Sequence, residues 1–166
     1  MAKTAKEKLE IARRIYDIAV HDHGLSPEAL VFDTLTFTLA TGDDEFAASA
    51  EETIEGIRLV KNELPGVFTS LGVSNVSFGL SPLARPVLNS IMLYHAVQAG
   101  LDMAIVNPAH ITPYAEIPEQ DQRRKCRFAA QNTGTGEQVG GTGSSRSRRG
   151  RSRCLSIWSA ITLARD

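Results

Sequence analysis

The sequence contains no run approaching the roughly 18 consecutive apolar residues that a membrane-spanning helix needs. Its start, residues 1–8, is rich in lysine but lacks the apolar segment of a signal peptide. With 166 residues, 42% hydrophobic and 22% charged, the chain has the size and composition of about one soluble domain. We therefore expect a cytoplasmic protein with no membrane partner.

Cysteine is scarce, and both cysteines follow Glu119. Cys126 and Cys154 do not form a CxxC motif, and no histidine follows Glu119, so a zinc site in this region has no support. A disulfide is possible in principle, but a chain without a leader is expected to stay in a reducing compartment. The histidines elsewhere have no metal-ligand spacing, and we assign them no role; they are His21, His23, His95 and His110. We predict no metal site.

Charge divides the chain into two parts of opposite character. Residues 1–119 hold 8 Lys and Arg against 16 Asp and Glu, whereas residues 120–166 hold 10 against 3. From Arg123 onward the sequence is dominated by Gly, Ser, Thr and Arg, without an apolar face. We predict a folded domain at residues 1–120 and a disordered or frame-shifted tail at residues 121–166.

The arginine cluster at residues 146–153 is the feature of the tail that would suggest a nucleic-acid partner. Clustered arginines neutralise phosphates, but no aromatic residues are interleaved with these arginines. We therefore do not expect the chain to bind nucleic acid.

Helical and strand patterns alternate through the first hundred residues. Predicted helices cover residues 5–23, about 43–64 and 85–100, and predicted short apolar strands cover residues 29–33, 67–73 and 103–106. Such alternation is typical of parallel βα units, so the predicted class is α/β. Three strands are too few to close a barrel. The fold is therefore either small and open or part of something larger.

Polar residues stand where the predicted strands end. Asp33 ends the first strand, Ser74 and Asn75 follow the second, and Asn107 follows the third, with Arg85 just beyond the second loop. In parallel α/β barrels such positions form the reactive face. Taken singly, Asp33 and Asn75 are also typical turn residues, and Arg85 is a typical exposed helix start.

Four segments carry a resemblance to a known family. They are Val31-Phe32-Asp33, Ala40-Thr41-Gly42, residues 72–78 (GVSNVSF) and residues 102–107 (DMAIVN). In order and spacing they resemble the pterin-binding barrel of cobalamin-dependent methionine synthases, over about residues 8–120. The resemblance implies a partial TIM (β/α)8 barrel made of its last three strands and their helices.

The resemblance also implies roles for the strand-end residues. Asp33 matches a carboxylate that accepts hydrogen bonds from the pterin ring, and such an acceptor-only group suits the adjacent amino and ring N–H donors. Asn75 matches the asparagine near N5 of the folate, where its amide stabilises developing charge. Arg85 matches an arginine beside the folate site if Ser81-Pro82 is an insertion. Ser74 and Asn107 are further candidates.

The implied reaction is transfer of the N5 methyl group of 5-methyltetrahydrofolate to cob(I)alamin in the synthesis of methionine from homocysteine. In this family cobalamin is carried by a separate domain, the corrinoid partner, and zinc only by a separate homocysteine module. One rival is a methyltransferase serving a corrinoid iron–sulfur protein. Dihydropteroate synthase is disfavoured because its lysine- and arginine-bearing phosphate motifs are not apparent.

An alternative to the enzyme hypotheses is that the chain is a fragment without catalytic function. It is considered because the pterin contacts that the family takes from its earlier strands have no counterpart in this sequence. A smaller departure is Thr34, where the family usually has proline. We expect this threonine to loosen the loop that orients Asp33 and to lower affinity modestly.

Overall fold

The computed structural model describes residues 2–39 and 48–123. These residues form an α/β structure with helices and strands in alternation. The helices are α1 (Ala5–Tyr16), α2 (Ser49–Glu63), α3 (Ala84–Gln98) and α4 (Glu119–Arg123), and the strands are β1 (Val31–Asp33), β2 (Phe68–Gly72) and β3 (Met103–Ile105).

The three strands form one parallel sheet in the order β1-β2-β3. Asp33 pairs with Ser70, and Gly72 pairs with Ile105. Parallel neighbours need a long crossover, and α2 and α3 lie in the two crossovers. The prediction of an α/β class with parallel strands is confirmed, and the carboxyl ends of all three strands lie at one edge.

The core lies where the helices pack against the sheet. Two clusters of buried residues share α2, which contributes Ile54 and Ile57 to one and Val60 to the other. The larger cluster also contains Leu71, Val73, Val76, Met92, Ala96, Ala99 and Leu101, and the smaller one contains Leu9, Ala12, Leu64 and Val67. Full burial of one such aliphatic side chain stabilises by roughly 1.5–3 kcal/mol.

The first helix begins as its sequence dictates but ends differently from the prediction. Thr4 and Glu7 form a reciprocal capping box at its start. The α-helix ends at Tyr16, and a π-helical segment follows over Asp17–Asp22. Gly24 then adopts a positive φ of 68°, as a residue just past a helix end often does.

The apolar residues between positions 5 and 23 are buried only in the first half of this segment. Leu9 and Ala12 are buried, whereas Ile15 and Ile18 are each 45% exposed. The sheet and α2 cover only part of the helix, so periodicity overestimates the buried face.

Most element boundaries agree with prediction within two residues. The exception is the end of the first helix, since α1 stops at Tyr16 and not near residue 23. The first strand begins two residues late, at Val31, because Pro27–Ala29 forms a 3-10 turn. The predicted start of the second helix, near residues 43–45, lies outside the described residues. The helix α4 runs across the predicted boundary between residues 120 and 121. That boundary stays a prediction, and the tail from residue 124 lies outside the described residues.

Within the described ranges, no helix is long and apolar enough to cross a membrane. The predicted cytoplasmic location stays a prediction.

Candidate functional site

The loops that follow β1 and β2 meet at the carboxyl edge of the sheet. The Leu39 N–H donates to the Val76 carbonyl at 3.1 Å, and the Thr38 hydroxyl donates to the Phe78 carbonyl at 2.5 Å. The loop after Asp33 is therefore held against the turn that carries Asn75.

Asp33 ends β1 with an exposed side chain. Its Oδ1 accepts a hydrogen bond from the Leu35 N–H at 2.9 Å, which forms a turn closed by the carboxylate. Leu35 has a φ of 53°, the only positive value for a non-glycine residue in the described part. Left-handed backbone costs a leucine roughly 1–2 kcal/mol, so the surrounding contacts must hold it.

Thr34, the first residue of this loop, is buried and continues the backbone pairing of the sheet. Its N–H donates to the Ser70 carbonyl at 3.3 Å, which extends the pairing of β1 with β2 by one bond. A proline at this position has no N–H and could not make that contact. Thr34 is 4% exposed. The expectation that Thr34 loosens the loop and lowers affinity stays a prediction.

Asn75 lies on a 3-10 turn, Val73–Ser77, that follows β2 directly. A Cβ at Gly72 would lie 3.0 Å from the Asn75 Nδ2, so the absent side chain makes room for this amide. Asn75 is exposed, whereas its neighbour Val76 is fully buried. Because Val76 is buried in the core, the turn is oriented so that Asn75 lies at the carboxyl edge of the sheet.

Arg85 is joined to the same turn from the start of α3. Its Nε donates to the Ser77 hydroxyl at 3.2 Å, and that hydroxyl donates to the Ser74 carbonyl at 3.1 Å. Ser77 is fully buried and Arg85 is half-buried. The structure therefore brings Arg85 to the turn bearing Ser74 and Asn75 through one buried serine.

Asn107 follows β3 and caps a 3-10 turn, Pro108–His110. Its Oδ1 accepts from the Ala109 N–H at 3.1 Å, and the residue is exposed. This contact accounts for Asn107 as a turn residue. The Nδ2 group of Asn107 takes no part in this contact, and the residue follows β3 at the same edge of the sheet as Asp33 and Asn75.

Sequence reasoning missed Lys8, which lies on α1 and is only 6% exposed. Its Nζ donates to the carbonyls of Thr34 and Leu35 at 2.6 and 2.7 Å. A signal was available: Lys8 stands on the buried face of α1 with Ala5, Leu9 and Ala12. A charged residue within an apolar stripe must find partners when it is buried.

A second charged network lies at the opposite edge of the sheet, where β3 begins. The Asp102 carboxylate accepts from the Thr69 N–H at 2.7 Å and from Lys61 Nζ at 3.0 Å. Burial alone raises the pKa of Asp102, but the hydrogen bonds from Thr69 and Lys61 outweigh it and hold the pKa below 3.8. This network joins α2, β2 and β3 and has a structural role.

Among residues 2–39 and 48–123, no group of three or more His, Cys, Asp or Glu side chains is arranged to hold a metal ion. The arrangement at the carboxyl edge instead offers one carboxylate, two amides and one guanidinium. These groups suit a flat ligand rich in hydrogen-bond donors and acceptors.

Comparison with known proteins connects this edge with a family. A model of the pterin binding enzyme family matches residues 1–107. The chain is 47% identical to a methionine synthase of Mycobacterium tuberculosis over 121 residues, and 44% identical to one of Mycobacterium leprae over 122 residues. These alignments cover 73% and 74% of the chain but 10% of each relative, so the chain spans about a tenth of the length of the relatives it matches. The chain belongs to the family of pterin binding enzymes.

Proposed function

We propose that the chain supplies Asp33 and Asn75 to a binding site for the pterin ring of 5-methyltetrahydrofolate. The observation that carries this proposal is the joining of the loops after β1 and β2, which holds both residues at one edge of the sheet. The family match over residues 1–107 includes both of them.

In this proposal residues 1–120 form the last three strands of a TIM barrel, and residues 121–166 form a separate tail. The exposure of β3 supports the partial barrel, because Met103 is 44% exposed and Ile105 is 71% exposed. Strands of a complete parallel barrel are covered on both faces. Further strands would cover these side chains.

Asp33 binds the pterin through the carboxylate oxygen that the loop leaves open. Its Oδ1 accepts from Leu35, and within the described residues no hydrogen bond engages Oδ2. An ionised carboxylate accepts several hydrogen bonds, so the amino group and ring N–H of a pterin can donate to this side chain together. The bond from Leu35 sets the direction in which Oδ2 points.

Asn75 acts at N5, the nitrogen that releases the methyl group. A tertiary amine is a poor leaving group unless its nitrogen gains a proton as the bond to the methyl carbon breaks. Asn75 cannot supply this proton, which comes from solvent water, but it can hydrogen-bond the nitrogen while its charge changes. The amide of Asn75 hydrogen-bonds N5 and stabilises this change more than it stabilises the bound substrate. Arg85, Ser74 and Asn107 complete the edge, with Arg85 held through Ser77.

The methyl acceptor belongs to other parts of a longer protein in this proposal. Cobalamin, when bound on a separate domain, supplies the nucleophile that takes the methyl group. Zinc would serve a homocysteine module. The named relatives favour homocysteine as the final acceptor over a corrinoid iron–sulfur protein, because both are methionine synthases.

The test is calorimetric titration of the purified chain with 5-methyltetrahydrofolate. Asp33→Asn keeps an oxygen for the Leu35 N–H but replaces the second acceptor by a donor, so binding should weaken by about tenfold or more. The matched control is Asp22→Asn, an exposed carboxylate after α1. It should leave affinity within about twofold of the original.

Equal affinities of the two variants would contradict the role of Asp33. A folded chain that shows no saturable binding would contradict the proposed function for these 166 residues. That result would favour the fragment without activity of its own.

A further inference from the structure

Lys8 is a buried cation whose position the packing of α1 against α2 explains only in part. Its aliphatic stem passes Gly56 of α2, where a Cβ would lie 2.8 Å from the Lys8 Cδ. The stem therefore depends on a glycine for its space. A lysine that served packing alone would be expected to bring its charged end out to water.

The charged end of Lys8 is instead directed at the loop after Asp33. Its Nζ donates to the Thr34 carbonyl at 2.6 Å and to the Leu35 carbonyl at 2.7 Å, and it lies 5.4 Å from the ring centroid of Phe37. Burial lowers the pKa of Lys8, while the charges of Glu52, Asp33 and Glu7 act in the opposite direction. The short donor distances are typical of charge-assisted hydrogen bonds.

The loop that Lys8 holds has an unfavourable backbone conformation. Leu35 is left-handed, and its carbonyl accepts from the Thr53 hydroxyl at 3.0 Å as well as from Lys8. Its N–H donates to Asp33 Oδ1. Both polar backbone groups of Leu35 therefore have hydrogen-bond partners. Leu35 links Lys8 to Asp33, because its carbonyl accepts from Lys8 and its N–H donates to the Asp33 carboxylate.

We propose that Lys8 is a positioning residue of the pterin site, which holds the Thr34 and Leu35 carbonyls and thereby orients Asp33. This inference rests on the proposed binding of the pterin by Asp33. Lys8 itself does not touch the ligand in this arrangement. It keeps the loop in the binding conformation before the ligand arrives, which reduces the ordering that binding requires.

The test compares Lys8→Met with Lys6→Met, the same substitution at an exposed position of the same helix. Methionine keeps most of the stem beside Gly56 and removes the ammonium. Two readouts are needed in the full chain: affinity for 5-methyltetrahydrofolate by calorimetry, and amide hydrogen exchange at Leu35 and at the core residue Val60 by NMR.

Lys8→Met should weaken folate binding by about tenfold and speed exchange at Leu35, because the carbonyl contacts are lost. Exchange at Val60 should stay slow, and Lys6→Met should change affinity by less than about twofold. If Lys8→Met does not fold, Lys8→Gln decides by the same criteria, since it removes the ammonium and shortens the stem while keeping a polar end group.

Unchanged exchange at Leu35, or weakened binding with Leu35 still protected, would overturn the positioning role. An affinity loss for Lys8→Met that is no larger than the loss for Lys6→Met would also overturn the positioning role. If the original chain itself binds no folate, the proposed function fails, whereas exchange at Leu35 still shows whether Lys8 holds the loop.

Discussion

Three polar side chains of the candidate site each contact another part of the protein. Asp33 accepts from Leu35, Arg85 donates to Ser77, and Asn75 lies in the space left by Gly72. These contacts orient the side chains before any ligand is present, which lowers the entropy lost on binding.

At the same scale, Asp102 makes stability depend on pH in a predictable direction. Its pKa in the folded protein is lowered by the hydrogen bonds from Thr69 and Lys61, so its stabilisation is present at neutral pH and is lost progressively as the pH falls through the ordinary aspartate pKa towards the lowered one. Asp102→Asn should lower the free energy of unfolding by roughly 1 kcal/mol at neutral pH. The loss is no larger because the side chain is partly exposed. It should also remove this part of the acid sensitivity. Urea unfolding over a series of pH values measures both effects.

The control for this prediction is Asp22→Asn, which removes an exposed carboxylate without these partners. If Asp102→Asn and the unaltered chain lose stability in parallel as the pH falls, the Asp102 network does not contribute.

At the scale of elements, the contact of α1 with α2 depends on Gly56. Glycine inside a helix costs about 1 kcal/mol relative to alanine, so Gly56→Ala alone would be expected to stabilise α2. The added Cβ would however lie 2.8 Å from the Lys8 stem. We predict that Gly56→Ala lowers the melting temperature.

The sign of this effect should reverse when the lysine stem is removed. In a Lys8→Ala background, Gly56→Ala should raise stability by about 1 kcal/mol, measured as a double-mutant cycle by thermal unfolding. Stabilisation of equal size in both backgrounds would show that the close approach has no cost.

At the scale of the whole molecule, the sheet has β1 and β3 at its edges within the described residues. Val31 on β1 is 51% exposed, and Ile105 on β3 is 71% exposed. Exposed apolar edge strands are sites of association between chains. We predict that the purified chain forms species larger than its 18.0 kDa monomer.

Ile105→Lys should raise the monomer fraction, because a charge on an edge strand opposes pairing. Size-exclusion chromatography with light scattering measures this fraction, and Leu83→Lys, an 89% exposed position before α3, is the matched control. A monomeric original chain at all concentrations would refute the prediction.

The amino-acid sequence by itself determined the α/β class, the order of the elements and the candidates at the strand ends. These follow from local patterns: apolar periodicity marks α2 and α3, short apolar runs mark the strands, and Asp33 and Asn75 follow such runs directly. The segments around these two residues also predicted the pterin binding family, which the match to residues 1–107 confirms. Their role in binding stays a prediction.

Only the tertiary structure decided which contacts hold the site. Lys8 lies 26 residues from Thr34 in sequence, yet its Nζ is 2.6 Å from the Thr34 carbonyl. Periodicity reports which face of α1 is apolar, but it cannot show that a lysine on this face finds buried carbonyl partners. The left-handed Leu35 and the exposed Ile15 and Ile18 likewise depend on what α2 and the sheet cover. Local patterns depend on neighbours in sequence, whereas burial and long-range hydrogen bonds depend on packing between elements.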